Sequence, residues 1–330
     1  MGKRIVGINL AKYGSIAIIQ DGELEFYLEE ERVTGIKRDI SAKTLADRYV
    51  DSTVDAVTIC DCFTRYNPQV YLERTIAKNK LVNIVKSKGC NNIIDYRQKH
   101  HECHAANALY NSPFDDAVVV VMDGKGSVHE HDGLRFCETE AIFDNLTPVF
   151  RHYSTFWSED ETKNLHDPYW DDNNFYSNRV SIGQAFRTVS RYCGFDEIEA
   201  GKTMGLSAYG HPATPVDLFN EEYGHSICST KIKPYGNTTK YIGTKYVEAD
   251  LAYNMQKSAE RHAIFMIKKA VQLTGKKNIC VSGGFFLNCV SNYAIIKEMD
   301  INLYCDPIAY DGGLSIGSAL LEYENSLSRS

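Results

Sequence analysis

Long apolar runs are missing from this chain: none reaches 18 residues, and a helix needs about 20 to cross a bilayer, so a spanning helix is excluded. The opening MGKRIVGI turns polar too soon for a signal peptide. Positive charge is not in excess, because 36 Lys and Arg face 43 Asp and Glu for a net charge of -7. Nucleic acid is therefore disfavoured as a partner, whereas a local basic pocket for a small phosphate compound is compatible with that balance. Cysteine, at 10 in 330 residues, is too sparse for the stapled framework of a small secreted domain. Cys60 and Cys62 are a lone C-x-C without a second pair, which argues against a zinc knuckle. Reduced thiols, a cytoplasmic location and no membrane partner are expected.

What is present points to a two-part α/β protein. A single core rarely grows beyond about 250–300 residues, so 330 residues favour two domains. RIVGINL, SIAIIQ and ELEFYLEEE read as strands, the last two joined by an Asp21-Gly22 hairpin turn. VDAVTIC (54–60) and NIIDY (92–96) read as further strands around a helix over 71–87. AVVVVMDG (117–124) is continuous in β-branched residues, as a buried strand should be. A GKGS turn and two strand-like stretches, GLRFCETE and AIFDN, follow it. The same opening of strand, turn, strand, strand is thus played twice, which predicts a duplication, with halves at 1–115 and 116–330 and a cleft between them. Residues 147–180, rich in Tyr, Trp, Asn and Asp and poor in periodicity, read as an aromatic loop insertion, either a substrate-binding lid or a surface excursion. Helices are expected over 181–195 and 249–273, ending at Gly194 and Gly275, then over FFLNCVSNYAIIKEM and after DGG.

Three strand ends carry glycine beside a polar side chain: Gly7-Ile8-Asn9, Asp123-Gly124-Lys125-Gly126-Ser127, and Ser282-Gly283-Gly284 leading to Asn288. Glycine lets backbone N–H groups approach an anion. None is a Walker A motif or a Rossmann fingerprint, since the required spacing is missing. In HHECH, a helix would place His100 and His104 on one face and turn His101 about 100° away. Two readings stand: the pair ligates a cation, or it caps the helix and packs under a loop. A first shell would need carboxylates as well, and Asp123 and Asp311 are the candidates.

HHECHAANALY, DAVVVVMDGKGS, GKTMGLSAYG, VSGGFFLNCVSN and DPIAYDGGLSIGSALLEY closely resemble, in order, the N-terminal domain of the nodulation-type and cephamycin-type O-carbamoyltransferases. That family is related to the tRNA threonylcarbamoyladenosine synthases. The resemblance, from about residue 4 to about 325, implies an actin and Hsp70-like (ribonuclease H-like, ASKHA) fold of two duplicated halves. It further implies a divalent metal, iron(II) or manganese(II) with magnesium as a third candidate, held by His100, His104 and Asp311 with Asp123 as a further ligand. ATP-derived carbamoyl adenylate would bind beside it, on Asn9, Lys37, Arg38, Gly124, Lys202, Gly283, Gly284 and Asn288. The carbamoyl group would pass to a hydroxyl of a small acceptor, a sugar, nucleoside or natural product. His101 or His129, with Asp123, would serve catalysis as proton acceptor.

Full-length members of the family resemble a fusion that continues into a YrdC-like domain, which makes the carbamoyl adenylate from carbamoyl phosphate and ATP, and these 330 residues are expected to hold the transfer half only. Three accounts stay open: a piece of a longer protein, a split enzyme with a separate YrdC-like chain, or a stand-alone descendant. A nucleotide-binding subunit active only in such a complex, and a tRNA-modifying relative, are the alternative functions, and a homodimer is an open expectation. The phenylalanines of VSGGFF are expected either to narrow the nucleotide pocket or to fill the core.

Overall fold

The computed structural model describes residues 2–62, 68–155, 165–196, 198–211, 216–230, 232 and 247–329. Its first sheet grows from β1 (Arg4–Asn9), whose last five residues are all buried. β1 pairs antiparallel with β2 (Ser15–Gln20), and β2 with β3 (Glu23–Glu29) across the Asp21-Gly22 turn, where both residues take positive φ. On its other edge β1 pairs parallel with β4 (Ala56–Cys60), and β4 with β5 (Ile93–Asp95). The order is β3-β2-β1-β4-β5.

The second sheet repeats this plan. β6 (Val118–Met122), buried at every residue, pairs antiparallel with β8 (Leu134–Asp144), and β8 with β9 (Thr147–Thr155). β6 also pairs parallel with β14 (Asn278–Ser282), and β14 with β15 (Asn302–Cys305). The central order β9-β8-β6-β14-β15 matches that of the first sheet in sequence and direction. β7 (Val128–His131) adds to β8, and β10 (Tyr169–Asp171) and β11 (Asn174–Ser177) extend the β9 edge, while β12 (Phe219–Glu222) and β13 (His225–Cys228) form a separate hairpin.

Two expectations need correction here. GLRFCETE and AIFDN are one strand, β8, because its eight residues Phe136–Phe143 are buried without a break for a turn. The third strand is instead β9, inside the segment read as a loop, and within 147–180 the described residues 147–155, 169–171 and 174–177 are all strand. Its polar residues hide the pattern: partly exposed Arg151 pairs with Glu102 and Glu138, and buried His152 with Glu140, so each has its partner within the fold. The stretch 156–164 lies outside the described residues.

Each sheet is covered on two sides. Val6, Ile8 and Val57 of the first sheet pack against α2 (Lys43–Tyr49) and α3 (Pro68–Ser87), through Leu45, Leu81 and Val85. The second sheet packs on α5 (Ile182–Tyr192) and on α7 (Glu248–Thr274), which ends at Gly275 in the left-handed conformation. Between the sheets lie α4 (His100–Tyr110), on Val119 and Val121, and α9 (Leu314–Leu327), on Ile5 and Ala17. α9 thus follows the second sheet in the chain but lies against the first. α4 and α9 approach backbone to backbone, and a Cβ on Gly317 would sit 1.8 Å from the Cys103 carbonyl oxygen. The parallel strands β1, β4, β6 and β14 all end toward the turn that precedes α9, and their carboxyl ends are where open α/β sheets bind ligands.

Candidate metal centre

α4 buries His100 and His104 completely, one helical turn apart on one face. Asp123 follows β6 directly, and Asp311 opens the turn before α9. The close contact of α4 with α9 brings these four side chains together, with one donor atom from each inside a sphere of contacts no wider than 4.8 Å. His100 Nε2 lies 3.0 Å from Asp123 Oδ2, 3.2 Å from His104 Nε2 and 3.8 Å from Asp311 Oδ1. His104 Nε2 is 3.8 Å from Asp311 Oδ1 and 3.9 Å from Asp123 Oδ2. Donors about 2.1 Å from a shared cation stand about 3.0–3.4 Å apart, so the cluster needs only slight contraction around an ion.

The electrostatics fit the same occupant. Burial opposes a charge on His100, yet the Asp123 hydrogen bond and the Asp311 charge outweigh it and push its pKa up to about 9. His104, by contrast, is held below its ordinary value by burial, with the neighbouring His100 charge adding to it. Burial would raise the Asp123 carboxyl, but the His100 hydrogen bond and the imidazole charges hold it well below the usual range. His100 is therefore favoured over His104 as the charged member of a pair whose Nε2 atoms face each other. A divalent cation satisfies both nitrogens and both carboxylates at once. His104 Nδ1 meets Ser282 Oγ at 3.3 Å, an outer contact of the kind that orients a ligating ring.

The two carboxylates are the exposed side of the cluster and form the wall of a cavity of about 470 Å³. Loops after β1, β4, β6 and β14 line it with Tyr13, Cys62, Lys125, Phe285 and Asn288, and α5 adds Gly183 and Arg187. Lys12, Lys125 and Arg187 give it positive charge, Arg74 joins the wall while paired with the buried Asp61, and Phe186, Ile198, Met204 and Phe285 give it apolar wall. Such a mix suits an anionic ligand with a flat ring.

The other expected residues divide. Gly124, Gly284 and Asn288 line the cavity; Asn288 also caps the helix α8 (Cys289–Glu298), its Oδ1 accepting from Ser291 N–H at 3.0 Å. Gly283 does not line it: at φ +95° a Cβ there would lie 2.2 Å from the Met122 carbonyl oxygen, so its glycine serves the turn. Lys202 binds Glu199 at 2.6 Å, and the Lys37 charge acts on that same carboxylate, both beyond the cavity lining. Arg38 also stands back, its Nε donating to the Tyr13 hydroxyl at 3.2 Å. Asn9 is a tie rather than a lining residue, its Nδ2 donating to Asp311 O at 2.8 Å and Tyr13 O at 3.1 Å while Oδ1 accepts from Ala11 N–H. Asn9→Ala is expected to cost about 2–3 kcal/mol through these lost bonds and about 10–100-fold in metal affinity through the freed Asp311 turn. Urea unfolding and cation titration check both.

His101 and His129 are corrections. His101 is fully buried against Gly126 and Glu138, and His129 lies half-buried with its Nε2 3.1 Å from the Tyr176 hydroxyl and its ring stacked on Tyr153. Neither reaches the cavity, so neither is placed to take an acceptor's proton. Of the two phenylalanines of VSGGFF, Phe285 lines the cavity and Phe286 is buried in the core. Lys12, Arg74 and Arg187 of the lining stand outside the expected set of residues.

Two sheets of like order, with a cavity at their strand ends, define an α/β fold of the actin-like type. A solved structure with that fold is the HypF of T. kodakarensis, at a TM-score of 0.57 and 11% identity, covering 99% of this chain and 48% of that one. The chain belongs to the carbamoyltransferase N-terminus family, whose pattern matches residues 46–320. It is 24% identical over 388 residues to the uncharacterized protein sll1178 of Synechocystis, and 22% identical over 339 residues to the nodulation protein NolNO of Sinorhizobium fredii. These alignments cover 96% and 93% of this chain but 56% and 46% of the relatives, so the chain spans about half their length. Among the described residues no helix is long and apolar enough to cross a membrane.

Proposed function

We propose that this chain is the transfer half of a metal-dependent O-carbamoyltransferase, built as two duplicated halves around the cavity, which moves a carbamoyl group from carbamoyl adenylate to a hydroxyl of a small acceptor. The observation that carries the reading is the four-donor cluster opening through Asp123 and Asp311 into a cavity with cationic lining. Family membership supports the group transferred. His100, His104, Asp123 and Asp311 would hold the cation, iron(II) or manganese(II), which supplies Lewis-acid polarisation of a carbonyl oxygen when bound.

The chain's own residues account for the remaining steps. Lys12, Lys125 and Arg187 neutralise the phosphate, which stabilises it as leaving group when the acceptor oxygen bonds to the carbamoyl carbon and the C–O bond to AMP breaks. Phe186, Met204 and Phe285 cover the nucleotide and exclude water that would hydrolyse the mixed anhydride. No imidazole among the described residues lines the cavity and its carboxylates Asp123 and Asp311 would hold the cation, so the acceptor's proton leaves with the departing AMP phosphate. Because the chain spans about half of its relatives, a YrdC-like domain or separate chain would supply the carbamoyl adenylate.

Purified chain, reloaded with Mn2+ and given carbamoyl phosphate, ATP and a YrdC-like protein, is expected to carbamoylate a hydroxyl in a panel of sugars and nucleosides, seen by mass spectrometry. It is expected to consume carbamoyl adenylate faster than the YrdC-like protein alone. Equal consumption with and without the chain, or with and without the cation, defeats the reading.

A further inference from the structure

Away from the cavity, a second group of imidazoles surrounds one carboxylate. Glu140 on β8 and His152 on β9 are direct cross-strand partners. His225 opens β13, and His262 stands on α7. Each of the four is at most 3% exposed. His152 Nδ1 lies 2.9 Å from Glu140 Oε2, His225 Nε2 lies 3.5 Å from the same oxygen, and His262 Nε2 contacts Glu140 Oε1. One donor atom from each of Glu140, His152 and His225 lies within 4.8 Å of the others.

His225 is the telling member. It is fully buried, yet neither ring nitrogen has a hydrogen-bond partner. Leaving a buried polar group unpaired is costly, and an imidazole offers an apolar core nothing that Leu or Phe would not supply better. Phe150, Phe175 and Phe265 pack around its ring and leave Nε2 aimed at Glu140. The outer contacts are those of ligands held in place: His152 Nε2 meets Ser177 Oγ at 2.8 Å, and His262, on the second carboxylate oxygen, meets Ser226 Oγ at 2.9 Å through Nδ1.

We propose that Glu140, His152 and His225 bind a second divalent cation, zinc by the chemistry of a two-imidazole, one-carboxylate donor set, with His262 steadying the carboxylate. None of these residues lines the catalytic cavity. The ion is structural, fastening the β8–β9 pair to the β12–β13 hairpin, and its presence is independent of the transfer chemistry.

Protein stripped with chelator, reloaded with Zn2+ and desalted is expected to hold two zinc ions per chain by elemental analysis. His225→Ala and Glu140→Gln each lower that to one, His104→Ala also lowers it to one, and His104→Ala with His225→Ala leaves none. Reloading is further expected to raise the thermal midpoint of His104→Ala, whose remaining zinc sits in the second site, and to leave that of His104→Ala with His225→Ala unmoved. Zinc content unchanged by His225→Ala and Glu140→Gln overturns the proposal and leaves the first centre standing; content unchanged by His104→Ala alone does the reverse. Should the core variants fail to fold, anomalous scattering at the zinc edge from wild-type crystals decides. A peak bounded by Glu140, His152 and His225 supports the site, and a peak only between His100 and His104 removes it.

Discussion

Replacing His104 by Ala is expected to lower the affinity for a divalent cation by more than about 100-fold, beyond the range of about 10–100-fold typical for a group that only orients a ligand. The substitution removes one of four converging donors, whose Nε2 is within 3.2–3.9 Å of the other three. The fold should persist, because Ala is the best helix former and position 104 lies inside α4. A pH titration gives a second readout from the parent protein. With its pKa near 9 in the metal-free state, His100 must lose a proton when a cation binds. Apparent affinity therefore rises with pH by about tenfold per unit up to about pH 9 and levels off above it. Calorimetric titration of Mn2+ across that range checks both. An unchanged affinity in His104→Ala would show that the cation is held elsewhere, and a flat pH profile in the parent would show that its binding displaces no proton from His100.

Much of the architecture is legible in the residues. The Asp21-Gly22 turn, the unbroken VVVVM strand and the Gly275 helix end each have one low-energy solution, and each takes it. Strand β9 is not legible, since Arg151 and His152 look like surface residues until Glu138 and Glu140 appear beside them from another strand. The site divides in the same way. His100 and His104 share a face by helical period alone, and Asp123 ends a recognisable strand. What brings Asp311 to them is the contact of α4 with α9, across two hundred residues of chain. The lining cations Arg74 and Arg187 depend on that same tertiary closure, and no local pattern distinguishes them from surface charge. His101 shows the opposite error, because the period that groups its neighbours turns it away, toward Glu138.

That helix contact makes Gly317 a position where a single methyl group should do severe harm. A Cβ at 317 would lie 1.8 Å from the Cys103 carbonyl oxygen and 3.1 Å from Asn107 N, both backbone atoms of α4 that no rotamer change can move. Gly317→Ala is expected to destabilise the chain by about 3 kcal/mol or more, at or above the upper end for overpacked cores. Asp311 stands six residues before Gly317 on the segment that leads into α9, so a displaced helix should also separate the donors and weaken cation binding in whatever fraction folds. Gly205→Ala is the matching control: it is in a helix with nothing within 4 Å of the added Cβ, and should stabilise by about 0.5–1 kcal/mol through chain entropy and helix propensity. Urea midpoints and Mn2+ titrations of the two variants should move in opposite directions for stability, with cation affinity falling only in Gly317→Ala. If Gly317→Ala matched the parent in both, the close approach of α4 and α9 would not be what assembles the centre.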